Sequence, residues 1–265
     1  MGGLLGRVDR LPRQHCAGRH RPPRRPPAGG LTVRCELGEL AVVLQSGPTE
    51  VAEHLGVAPE PGDVPEPVRD AARTLSRASV FGLAEVRVPD EPDLRAVVAV
   101  GEGGGVRVRV RGAEVEVEVV RPDAPWPALV GCLPKLDPAA GCEVTVPTRE
   151  LAEARAESAE RDQAADWLAY ELKQREVPTD DARAVADLLA CADGTAARLA
   201  VAYRNGTGEF LRWRHEVEVH HSPTGRSAVI PESPDDTFTL VAPADTYLLG
   251  KTLQEYLEDL TRPSE

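Results

Sequence analysis

The chain has 265 residues, enough for one large domain or two small ones, and 42% of its side chains are hydrophobic. Its formal net charge of −12 is unevenly spread: residues 1–34 hold eight Arg and one Asp, which leaves −19 on the remainder. Such a body repels phosphate backbones and carries no compensating basic stripe, which excludes nucleic acid as a partner. Five Cys form no C-x-x-C and have no His at ligand spacing, a pattern that argues against zinc or a disulfide framework and for a reducing cytoplasm.

Residues 1–30, rich in Arg and Pro, lack the apolar core of a signal peptide and read as a disordered extension. Met1 is the only methionine, so a start nearer Leu31 or Val33 is expected. No apolar run reaches the roughly 20 residues of a membrane-spanning helix. The first elements are a strand over 31–37, a helix over 43–55 ended by Gly56 and Pro59, a Pro-rich linker over 58–67, and a short helix over 68–79.

A meander follows. An apolar run over 94–100 leads into a Gly-rich turn over 101–105, and then Val106, Val108 and Val110 alternate with Arg107, Arg109 and Arg111. Beyond Gly112, Val115, Val117 and Val119 alternate with Glu114, Glu116 and Glu118, so a Val face turns inward and an Arg strand lies beside a Glu strand. A short helix over 125–133 and a strand over 142–146 come next. Thr148 is expected to cap one long helix through Glu176, with Ala165, Leu168 and Leu172 as its buried stripe and Trp167 and Tyr170 on the shoulders.

Thr179 is expected to cap another helix, on which Val185, Leu188, Leu189 and Ala192 share a face. Strands over 198–204, 209–221, 227–230 and 237–241 then lead to Asp245, the cap of a closing helix with Leu249, Leu253, Tyr256, Leu257 and Leu260 on one side. The order over 94–133 returns over 196–260. The fold class expected is therefore α+β, a central antiparallel sheet flanked by helices, in one domain over 31–265 with repeated halves of about 31–140 and 141–265.

The chemistry is sparse. A single strand over 209–221 would put His215 and His221 on one face and His220 on the other, and no third metal ligand is evident. The Gly101–105 stretch joins two strands and opens no helix, which makes it a hairpin turn and not a phosphate cradle. No Ser sits in G-x-S-x-G, and the paired carboxylates fall at caps and helix ends. No catalytic residue, cofactor or metal site is expected. Trp126 and Trp213 read as core anchors, and Trp167 with Tyr170 as interface candidates.

Three stretches resemble the EspG family of proteins associated with ESX (type VII) secretion in actinobacteria. They are L-x3-L followed by V-P-x-D-D-A-R-A-V-A-x-L-L within 168–189, H-S-P-T-G-R at 221–226, and T-F-T-L-V-A-P-A-D at 237–245. The resemblance implies a cytosolic chaperone with an antiparallel sheet and pseudo-twofold halves, which binds helical-hairpin clients of the PE and PPE type and covers their hydrophobic tip. It further implies client contacts at Gly101, Gly103 and Gly105 in the strand-to-strand turn and at Trp167, Tyr170 and Leu188 in the helices. The rival readings are a small hydrolase or transferase using His215 or His221, and a homodimer joined at sheet edges.

Overall fold

The computed structural model describes residues 32–36, 49–55, 66–190, 194–222, 224–232 and 235–262. The expected N-terminal extension, the start of the 43–55 helix and most of the 58–67 linker lie outside these residues. Eleven strands form one antiparallel sheet. The first half contains β1 (Thr32–Glu36), α1 (Thr49–Leu55), α2 (Glu66–Arg77), β2 (Val80–Arg87), β3 (Leu94–Gly101), β4 (Gly104–Arg111), β5 (Glu114–Val120) and α3 (Pro125–Val130). The second contains β6 (Val144–Pro147), α4 (Thr148–Ser158), α5 (Ala164–Gln174), α6 (Thr179–Leu189), β7 (Ala196–Arg204), β8 (Phe210–Arg212), β9 (Val217–Ser222), β10 (Gly225–Pro231), β11 (Phe238–Pro243) and α7 (Thr246–Thr261).

The spatial order is β1-β5-β4-β3-β2-β7-β9-β10-β11-β6, with β8 beside β7 off this path. In each half the first strand ends at the outer edge beside the last, and β2 pairs with β7 at the seam, Leu83 opposite Ala200. The outer edges are short. β1 has five residues and β6 four, the latter ending in Pro147, which blunts edge-to-edge pairing.

One sheet face carries α1 and α2 at one end, over Val97, Val108 and Val117, and α4, α5 and α6 at the other, over Val144, Val229 and Val241. The opposite face carries α3 and α7 across the middle. Gly82 permits this, because a Cβ there would come 2.8 Å from Leu129 of α3. Trp126 is an anchor as expected: it is buried, and its indole N–H donates to Gln254 Oε1 of α7 at 2.8 Å. The closing helix also matches its pattern, with the Asp245 carboxylate accepting from the Leu248 amide at 2.7 Å.

Several elements differ from the sequence reading. β2, central in the sheet, was not expected, since V-F-G-L-A-E-V-R is buried on both faces and shows no period-two alternation. The long helix over 148–176 is two helices, broken where Gln163 adopts φ 59°. Thr148 and Thr179 are first helical residues and not caps; Thr148 Oγ1 instead bonds Thr239 Oγ1 at 2.8 Å. The 101–105 turn is only Glu102 and Gly103, with Gly101 paired to Gly104 in the strands.

The strand over 209–221 is also interrupted. β8 and β9 lie end to end along β7, and the register slips by two residues between Arg212 and Val217. A bulge of this kind re-aims side chains without ending the strand's path. His215 lies in the interruption, while His221 is buried in β9, so the two do not share the strand face expected of them.

Candidate functional site

Follow one row of paired residues across the sheet face that carries the two helical lobes: Val115, Val110, Arg95, Glu85, Arg198, Glu218, Val229, Val241, Val144. The Val positions at each end lie beneath helices. The four charged residues between them lie where the lobes part. They floor a cleft, because a strand position with no helix above it is solvated and takes polar side chains.

Among the described residues three cavities open along this cleft. The largest, about 540 Å³, lies between α4 and the β8–β9 interruption and is lined by Leu151, Arg155, Trp213, His215 and Glu218 among others. A second of about 320 Å³ is bounded by His54 of α1, Glu85, Arg95 and Arg198. A third of about 150 Å³ shares Glu85 and Arg198 with the second and Arg155 and Glu218 with the first. The Arg155–Glu218 ion pair, 2.9 Å long, thus stands as a strut from α4 to the floor and separates the first cavity from the third.

The electrostatics are those of a shared network. Glu218 also lies 3.4 Å from His220 Nε2, a buried atom with no well-formed hydrogen bond. The His220 ring and then the Arg155 guanidinium hold the Glu218 carboxyl down to about 2, against burial that pushes it up. Glu85 lies between Arg95 at 3.8 Å and Arg87 at 4.0 Å, and Glu216 between Arg212 and Arg198, the latter at 3.9 Å. Burial depresses the His54 pKa, opposed by the Ala84 carbonyl 3.2 Å away.

A carboxylate held near 2 is a poor proton donor or acceptor at neutral pH. Among the described residues no group of three or more His, Cys, Asp or Glu could hold a metal. The floor is charged, whereas the resemblance implies a groove for an apolar tip.

The residues implied by the resemblance are dispersed. Gly101, Gly103 and Gly105 lie at the β3–β4 hairpin, with Gly103 exposed and Gly105 buried against the Val120 carbonyl; none of them lines the three cavities. Trp167 and Tyr170 pack edge to face at 5.6 Å on α5, with Arg161 stacked 4.4 Å over the indole, and Tyr170 is 46% exposed. Leu188 is 1% exposed, on the core-facing side of α6, so its side chain offers no surface to a partner; its carbonyl accepts from Ser227. Sequence reasoning missed Arg155, Arg198 and Glu85, which strand pairing and the placing of α4 bring together.

The H-S-P-T-G-R stretch is architectural. Gly225 and Ser222 pair across the β9–β10 turn, Arg226 is buried, and its Nε donates to the Ala244 carbonyl at 2.9 Å, just before the α7 cap. No helix among the described residues is long and apolar enough to cross a membrane.

In three dimensions the chain is similar to the Mycobacterium tuberculosis type VII secretion system chaperone EspG5, solved in complex with a PE25–PPE41 dimer. The TM-score is 0.68 at 17% identity, over 89% of this chain and 99% of that one, which shows a common fold. No match was found among curated proteins. The sequence model of the EspG family matches residues 31–255, all eleven strands of the sheet and every described helix but the end of α7, and on that match the chain belongs to the EspG family.

Proposed function

We propose that this protein is a cytoplasmic, non-enzymatic chaperone of a type VII secretion system, holding PE/PPE-like helical heterodimers soluble until export. The observation that carries this reading is the family match over residues 31–255, supported by the shared fold with a chaperone solved on a PE–PPE dimer. Residues 31–265 act as one domain whose halves repeat one plan. The client tip enters the cleft between the helical lobes, and the pair of half-buried Trp167 and exposed Tyr170 on α5 and the hairpin at Gly101, Gly103 and Gly105 are further contacts. A few anchors of this kind suffice for micromolar affinity, about 8 kcal/mol.

Co-expression with the PE–PPE pairs of the same genome tests the reading. A 1:1 complex with one heterodimer is expected on size-exclusion chromatography. If no pair co-migrates, the reading is wrong.

A further inference from the structure

Six Arg line the three cavities of the cleft against four Glu and one Asp, in a molecule whose sequence beyond residue 34 carries −19. The balance is thus locally reversed. Three of these Arg are also under-used by the protein. Arg87, Arg95 and Arg198 approach their carboxylates only to 3.7–4.0 Å, beyond hydrogen-bond reach, and their side chains are 62%, 39% and 57% exposed. Each guanidinium presents five N–H donors in a planar fork, so Glu85 and Glu216, each shared by two Arg, leave most of those donors to solvent.

We infer that the cleft seats a client tip by its carboxylates, gripped by Arg87, Arg95 and Arg198. This rests on the client-binding reading above and adds what that reading lacks, the chemistry of the docked segment. Acidic groups are the complement to forked donors on a floor between carboxylates that already have partners. A purely apolar tip would strip water from the charged row without replacing its hydrogen bonds.

The test uses the full chain and the PE–PPE heterodimer with which it co-purifies, by calorimetry from 0.05 to 0.5 M NaCl. Arg95→Gln and Arg198→Gln are each expected to weaken binding about tenfold, equivalent to about 1.4 kcal/mol. Both should flatten the salt dependence, as should Glu→Gln and Asp→Asn changes at the client tip. Arg121→Gln, an exposed Arg paired with Asp123 outside the cleft, is the control, and thermal unfolding verifies that each variant is folded. Unchanged affinity and a flat salt profile with a client still bound would overturn the inference and leave the chaperone reading standing. If the wild-type chain binds none of the pairs of its genome, both fall. If light scattering instead shows a dimer of this chain that Arg198→Gln dissociates, the cleft's occupant is a second copy and the inference is wrong.

Discussion

At Gly225 the backbone takes φ +136°, and a Cβ there would lie 2.6 Å from the Asp137 carbonyl oxygen and 2.8 Å from that of Pro138. The 137–139 segment runs past this turn, donating and accepting main-chain hydrogen bonds with Arg226. Gly225→Ala therefore meets both a strained backbone and a collision, and should cost about 2–4 kcal/mol, read as a lower urea midpoint. The motif was legible in the sequence as a turn before a strand. Its reason was not, because Asp137 and Pro138 are distant in the chain. Glu218 gives a pH signature: with its carboxyl near 2 in the fold and near 4.5 when unfolded, its contribution is complete above about pH 4.5 and is lost as pH falls toward 2. A side chain one-third exposed is partly screened, so about 1 kcal/mol is expected, and Glu218→Gln should flatten acid denaturation curves across that window.

Among the elements, the break between α4 and α5 has a local cause that can be tested. Gln163 pays for a left-handed conformation that Gly adopts freely, so Gln163→Gly should raise the melting temperature by about 2–3 °C, and an unchanged or lower value would refute this account. The sequence offered a continuous helical pattern here because no Gly or Pro marks the break. Elements with one solvated face were legible: the Val/Arg and Val/Glu strands β4 and β5, and the amphipathic α7, appear where their periodicities put them, except that Val119 of β5, expected inside, is exposed near the end of its strand. β2 was silent because both of its faces are buried. The β8–β9 interruption was hidden for another reason, since a two-residue slip preserves parity and leaves the alternation of charged and apolar residues intact on either side.

For the molecule as a whole, the halves are joined by the β2–β7 ladder beneath α3 and α7. Amides of β2 and β7 should therefore exchange slowest and those of β1 and β6 fastest, and uniform exchange across the sheet would contradict a single seam. The antiparallel sheet with flanking helices was legible from chain order and from the stretches that resemble the EspG family. The cleft was not, because Arg95, Glu85, Arg198 and Glu218 become neighbours only through strand pairing, and their exposure depends on which helices stop short of them. That row also has a width. Four strands span three intervals of about 4.8 Å, roughly 14 Å of open floor, while one helix with its side chains measures about 10–12 Å across. Two helices packed side by side, with axes about 8–10 Å apart, are too broad to lie flat there. The floor is therefore one helix wide, and the channel works as a calliper set to a single rod and closed to two abreast.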